Sequence, residues 1–300
     1  MSNINKSLTN GVKSRLASCT KPQLVLGLAT ASIFMPFLIT CVMLVITVLY
    51  AVFNKDTRRK MFADRSNLPI YIFSILLLAV PLLYGRYFSA FAGFGFLVTL
   101  LFFLFAKSIM DKSFYNILMD ICCGASTICF LYSVVQKMML GSEFRTTGGL
   151  LNANYYGTIC ELVIIIAVYR ALTNKKYRGI YFTIAAMNVA GIFLCDCQSA
   201  WIAVMAGVIG LLVFSGHKKQ GFIFLIVSII LVVIGLFTPG LLPRMDVMPQ
   251  TFTTRMNIWT TAFQGIKAHW LFGQGTLTYL FIYKLYDGYK TYHAHSLYLD

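Results

Sequence analysis

Residues 221–255 read GFIFLIVSIILVVIGLFT PGLLPRMDVMPQTFTTR. The first half, 221–238, carries no charge and is long enough to cross about 30 Å of hydrocarbon as a helix. The second half opens the one long polar-to-mixed segment of an apolar chain, 239–295. That segment holds His269, His293 and His295, together with Arg244 and Arg255. Membrane span followed by large loop is the pattern that decides the fold. The loop is expected outside the membrane, as the lid and half the active site of a membrane enzyme.

Composition agrees. Hydrophobic residues make up 58% of the 300 and charged residues 12%, against about 25% charged in a soluble domain. The apolar runs do not alternate, which excludes a membrane β-barrel. The expected fold class is all-α: a polytopic transmembrane helical bundle of about nine complete spans plus the start of a tenth. It is expected to form one membrane domain over 1–300.

Upstream of the loop, a polar, basic tail covers 1–21. It looks like the first part of a signal peptide, but no small-residue cleavage site follows, so the first helix is read as uncleaved. The apolar stretch 23–53 would be about 46 Å as one helix, too long for an untilted span. Lys/Arg-rich flanks on both sides and Pro36 in the middle favour two spans, with one kinked span as the competitor. The remaining spans are expected at 68–84, 87–106, 114–139, 154–172, 180–196, 199–215 and 221–238, with a tenth from Ser296. On this map most Lys and Arg face the cytoplasm, so the net charge of +15 serves topology. No basic domain is present to lie along a nucleic acid.

Eight cysteines lie mostly inside apolar spans, where Cys behaves as a small hydrophobe. No Cys-x-x-Cys pair or other ligand spacing points to a metal. Asp120, Glu161 and Asp196 are costly in hydrocarbon and should face the bundle interior or a wet cavity. Glu161, two turns below Asn154, is assigned a site-lining role. The plain alternative for each is a structural partner for a buried cation.

Two loops carry candidate chemistry. In 140–153, Arg145 accompanies Gly148 and Gly149, and Asn152 and Asn154 open the next span. Helix N-termini attract anions, and an Arg fork grips phosphate oxygens. The plain alternative is a capped helix beside a solvated Arg. In the long loop, Trp259, Ala262, Phe263, Ile266 and Trp270 recur at helical spacing. Thr253 or Thr254 is the expected N-cap, which places Arg255 in the first turn beside free N–H groups. A membrane-surface helix with a snorkelling Arg is the plain alternative. Gly273-Gln274-Gly275 ends this helix. The aromatics Tyr279, Phe281, Tyr283, Tyr286, Tyr289 and Tyr292 form either an interfacial belt or a sugar-stacking wall. His293 and His295, at i and i+2, do not share a helix face for zinc. A His at the mouth of a span suits a general base.

Taken in order, these pieces resemble the O-antigen ligase and O-antigen polymerase family of bacterial envelope glycosyltransferases. The resembling residues are Phe144-Arg145-Thr146-Thr147-Gly148 with Asn152-Ala153-Asn154, Gln198-Ser199-Ala200-Trp201, Arg255-Met256-Asn257-Ile258-Trp259, Gly273-Gln274-Gly275 and His295-Ser296-Leu297-Tyr298-Leu299. The resemblance implies an inverting transferase with no metal or other cofactor. Its donor would be an undecaprenyl-pyrophosphate-linked glycan and its acceptor a glycan or lipid hydroxyl. It would act at the outer face of the bacterial cytoplasmic membrane. By the same resemblance Arg145 and Arg255 match the pyrophosphate-holding arginines and His295 the histidine acting on the acceptor. Asn154, Glu161 and His293 are read from their own positions as further lining. Two departures are visible. Gln198 stands where the family often has Arg, and the family usually has further spans after the histidine, so a chain ending at Asp300 reads as a truncated form. A transporter or flippase for lipid-linked sugars is the alternative. It would call for charges deep in the spans and an internal repeat.

Overall fold

The computed structural model describes residues 19–238 and 248–294. The expected tail is therefore covered only from Cys19. Arg244, His295 and the expected start of a tenth span lie outside the described residues. The described residues are helical, with no strand among them. In chain order the helices are α1 (Lys21–Ser32), α2 (Phe37–Phe53), α3 (Lys55–Ala63), α4 (Leu68–Leu83), α5 (Tyr87–Ile109), α6 (Lys112–Leu140), α7 (Ala153–Thr173), α8 (Arg178–Cys195), α9 (Gln198–Phe214), α10 (Lys218–Phe237), α11 (Met248–Ala268) and α12 (Tyr279–Ile282).

Every expected span before the loop has a helix at its place, but the count of complete spans is corrected. Among the described residues six helices are long and apolar enough to cross a membrane, or seven if α2 and α3 form one broken span. The 23–53 stretch does break before Pro36, because proline cannot donate into the helix and clashes with the turn before it. The resulting α1 has 12 residues, about 18 Å, and cannot cross about 30 Å of hydrocarbon. α2 and α9, at 17 residues each, reach about 26 Å.

The chain divides into two compact units, Met1–Met43 with Met110–Arg244, and Leu44–Ile109 with Met245–Asp300. In the first, α7 is the central helix, and half of its most apolar window is buried. It packs most extensively against α8 and also touches α6 and α9. Tyr156, Cys160, Val163, Ile164 and Ala167 on α7 join Cys123 and Cys129 of α6, Ile192 and Cys195 of α8, and Ala200 and Val204 of α9 in one core. Small residues on the facing helices let backbones approach. A Cβ on Gly157 would sit 2.5 Å from the Cys197 Cβ. Caps define the ends. Asp111 accepts from the Phe114 N–H at 2.9 Å to open α6, and Asn152 accepts from Tyr155 N–H at 2.8 Å to open α7, satisfying donors a new helix leaves free.

The cost of placing Asp120 and Arg170 in the spans is met by one network. Arg170 donates to both carboxylate oxygens of Asp120, at 2.8 and 3.0 Å, and to Asn116 at 2.6 Å. The Tyr181 hydroxyl donates to Asp120 at 2.7 Å. Arg170 is 4% exposed. The plain alternative holds for Asp120: it is a structural partner. Arg170 is not a free flanking cation but the clasp between α6, α7 and α8.

In the second unit α4 and α5 pack as an antiparallel pair joined at Tyr84–Arg86. The end at that turn receives the long loop. Thr276 donates to the Ser89 carbonyl at 2.6 Å. The Tyr84 hydroxyl and His269 Nδ1 lie 3.1 Å apart, and Arg86 stacks over Phe281. Gly275, at φ +104°, passes so close that a Cβ would lie 2.7 Å from Pro81. The opposite end carries Lys55, Arg58, Arg59, Lys60 and Arg65. Within this unit, then, the loop rests on the end away from the Lys/Arg cluster.

Candidate functional site

In the first unit Lys21, Lys112, Arg170, Lys175, Lys176, Arg178, Lys218 and Lys219 mark one set of helix ends, while the opposite ends carry Lys137 and Arg145. Arg145 belongs to the loop between α6 and α7. That loop is fastened from below by α6. The Gln136 side-chain oxygen accepts from the N–H groups of Thr147 and Gly148, at 3.0 and 3.1 Å. Its amide nitrogen donates to the Thr147 hydroxyl at 3.1 Å. Ser133 and Thr146 share a hydrogen bond of 2.6 Å, and Lys137 donates to the Phe144 carbonyl at 2.9 Å. From the side, Thr146 N–H donates to the Leu194 carbonyl at 3.1 Å.

The loop so held aims Arg145 across the mouths of three helices. Its Nε donates to the Cys195 carbonyl at 3.1 Å. One terminal nitrogen, Nη2, donates to Asn154 Oδ1 at 2.7 Å and to the Asp196 carbonyl at 3.3 Å. Asp196 takes the left-handed conformation at φ +49° that ends α8. The guanidinium thus satisfies carbonyls at a helix C-terminus and fixes the α8–α9 corner. Nη1 makes no hydrogen bond among the described residues. Through Asn154 the guanidinium lies by the first turn of α7, and through Asp196 by the turn that leads into α9, helix ends of positive character. Chemically this is a half-built anion seat: an oriented cation, an amide side chain and two helix N-termini.

Asn154 is therefore brought to Arg145. Glu161 lies on the same face of α7, two turns deeper, half-buried and with no ion pair or hydrogen bond among the described residues. Gln136, Ser133 and Lys137 were missed from sequence. The available signal was polar residues clustered in the last turns of a span, where they need partners. Asp196 is interfacial, as its place at a span end suggests.

Gly148 gives a test of this loop. It sits at φ +59°, and a Cβ there would lie 2.6 Å from the Tyr156 ring. Gly148→Ala is expected to unseat Arg145; on the transfer reaction that the motif resemblance implies, it is expected to cut transfer about tenfold or more while the protein still inserts. The strain of a left-handed backbone acts on the loop, and the clash presses it off the Tyr156 ring at the top of α7. Transfer assayed at matched membrane protein levels checks it.

The second unit holds Arg255 and His293. The helix carrying Arg255 begins at Met248, not after Thr254. Thr253 and Thr254 are inside it, bonding back to the Pro249 and Gln250 carbonyls at 3.0 Å each. Arg255 therefore lies in the third turn, exposed, and not beside free N–H groups. That correction removes the helix-terminus grip and leaves a guanidinium with no hydrogen bond or ion pair among the described residues. The apolar face is also rotated. Ile258, Thr261 and Ala262 are buried while Phe263 and Trp270 are exposed, because Tyr279 and Ile282 of α12 pack on the former side. Nor do the aromatics form one wall: Tyr279 is core, Phe281 lies on Arg86, and Tyr292 is exposed.

The histidine segment returns along α11. Tyr289 N–H donates to Asn257 Oδ1 at 2.8 Å, and the Trp259 indole N–H donates to the Ala294 carbonyl at 3.1 Å. Ala294 is fully buried against Ile258, Ala262 and Tyr279. His293 thus flanks a residue docked one helical turn from Arg255. No group of three or more His, Cys, Asp or Glu that could hold a metal occurs among the described residues.

A multi-pass, all-helical membrane protein with an oriented arginine at its Lys/Arg-poor helix ends defines the class. Residues 183–300 match a family model described as O-Antigen ligase. The resemblance carried by the short motifs is thereby shown over that stretch, which contains Gln198, Arg255, His293 and His295 and excludes Arg145, Asn154 and Glu161. No curated protein matches the chain. No solved structure matches it either.

Proposed function

We propose that this chain transfers a glycan from an undecaprenyl-pyrophosphate carrier to an acceptor hydroxyl at the outer face of the bacterial cytoplasmic membrane. The observation that carries the proposal is Arg145: held by Cys195, Asp196 and Asn154, with Nη1 free of hydrogen bonds among the described residues. Its end of the unit is poor in Lys and Arg, which by the positive-inside rule is the non-cytoplasmic end. The O-Antigen ligase match supports the reaction class.

In the proposed step the acceptor oxygen attacks the anomeric carbon as His295 takes the hydroxyl proton. The bond from that carbon to the pyrophosphate oxygen breaks, and its electron pair leaves with the phosphate. Attack from the face opposite the leaving group inverts the anomeric centre. Negative charge grows on the pyrophosphate, where Arg145 and Arg255 are assigned to stabilise it in place of a metal. Glu161, Asn154 and His293 are assigned as lining.

His295→Ala is expected to lower transfer by about 10²–10⁴-fold, the range for loss of a positioned base. Arg255→Ala is expected to lower it about 10²-fold, the loss typical of an oxyanion-stabilising group, and its exposed side chain has no hydrogen bond or ion pair to lose among the described residues. Polymer length and yield from vesicles holding equal amounts of inserted protein check both. Unchanged yield from either variant overturns that residue's role. Movement of lipid-linked sugar across the bilayer without a new glycosidic bond would establish the transporter alternative.

A further inference from the structure

The second unit has a further polar constellation, at the end away from the long loop. α2 and α3 meet at a bend of 90°. The bend is stabilised by Asn54, which accepts from Thr57 N–H at 3.0 Å, and by Arg58, which donates back to the Val52 carbonyl at 2.9 Å. Thr57 and Met61, one turn apart, are buried, and α3 packs on α5. A helix at right angles to the apolar α2, buried along one stripe, lies along a membrane surface instead of crossing it.

Its outer side is cationic. Lys55, Arg59, Lys60 and Arg65 are exposed and their side chains have no ion pair or hydrogen bond among the described residues. Of these, Lys60 also lines a cavity of about 450 Å³, together with Ala63, Asp64, Asn67 and Lys107, over a floor of the buried Met61 and Leu104. Lys107 spends its protons on Asp64, Ser66 and Asn67, at 2.9, 2.7 and 2.6 Å. The Asp64 carboxylate at the cavity is therefore already neutralised. Two basic residues of the first unit differ: Lys176 and Arg178 lie over the rings of Tyr177 and Phe182.

We propose that the cavity under α3, with Lys60 in its lining, seats the phosphodiester headgroup of an anionic phospholipid. Lys60 at the cavity, with Arg59 beside it on the exposed side of α3, meets the phosphate, and Ala63, exposed at the cavity, meets the glycerol carbons. The leaflet is the one facing the Lys/Arg-rich ends, and only this orientation is shared with the proposed function. Lipid binding does not depend on transfer, so each can fail without the other.

The experiment uses the full chain in phosphatidylcholine nanodiscs titrated with phosphatidylglycerol, with retained lipid counted by native mass spectrometry. Phosphatidylglycerol is expected to be retained over phosphatidylcholine. Each cation at an anionic surface is worth about fivefold. Arg59→Gln with Lys60→Gln is thus expected to weaken retention about thirtyfold, and Lys60→Gln alone about fivefold. Lys175→Gln with Lys176→Gln is expected to change it less than twofold. Inorganic phosphate at millimolar concentration is expected not to compete, which separates a lipid from a free anion. Three results each overturn the proposal: equal retention of the two lipids, equal loss in the Lys175/Lys176 variant, or displacement by inorganic phosphate.

Discussion

Arg145→Ala is expected to lower glycan transfer by about 10²–10³-fold, chiefly in kcat. That is the loss typical when an oriented donor to a developing oxyanion is removed. Arg145→Lys is expected to recover little. An ammonium is a point charge and cannot span the Cys195 and Asp196 carbonyls, Asn154 and a phosphate oxygen together. The substitution also removes the tie between the 140–153 loop and the α8–α9 corner, so a merely structural role has to be separated from a chemical one. Asn154→Ala does this. It keeps both carbonyl contacts and is expected to cost transfer about tenfold or less. Thermal unfolding midpoints of the two variants in detergent are expected to fall within a few degrees of each other. If Arg145→Ala transfers normally at equal insertion, the assignment of this loop to pyrophosphate is wrong. If its loss of transfer follows a large fall in unfolding midpoint, Arg145 is a structural clasp.

The second large effect is on stability. Asp120→Ala is expected to destabilise the first unit by about 3–5 kcal/mol, because it leaves Arg170 charged, buried and unpaired. The Tyr181 hydroxyl loses its acceptor at the same time. The paired change Asp120→Leu with Arg170→Met is expected to recover most of that loss, since replacing both partners of a buried ion pair by apolar groups of similar volume is often neutral. Denaturant or thermal unfolding of the purified protein, with the double-mutant cycle, measures this. If Asp120→Ala unfolds like the wild type, the network is not a clasp. Transfer is expected to follow folded protein in this series, in contrast to the Arg145 variants.

Much of the architecture was legible along the chain. Runs of apolar residues, Pro36, Gly85, Gly141 and the Asn152 cap mark helix bodies and ends by local rules: burial length, a missing donor, a left-handed turn, a side-chain cap. Arg145 was legible as a candidate because a cation beside two glycines and two asparagines at a span mouth is unusual in so apolar a chain. The start of α11 was not. Thr253 and Thr254 satisfy the composition of a cap, but Met248–Phe252 continue the helix upstream, and both hydroxyls turn back onto carbonyls within it. Which side of α11 packs within the protein carried no local signal either: Tyr279 and Ile282 dock against Ile258, Ala262 and Gly265, and Phe263 is left exposed.

By itself, then, the sequence determined that this is an all-helical membrane protein, where its apolar helices run and, through its ordered motifs, which family its C-terminal stretch resembles. These depend on solvent preference and on chemistry within a few residues. Only the tertiary structure decided that Asp120 belongs to Arg170, that Gln136 holds the Arg145 loop, that α1 is too short to cross, and that Ala294 docks on Trp259. Each of these joins residues distant in the chain, or turns on which face of a helix meets a neighbour. Spans that are apolar all round carry little periodicity to announce that face. It emerges only when small residues, aromatic rings and buried charges find partners on other helices.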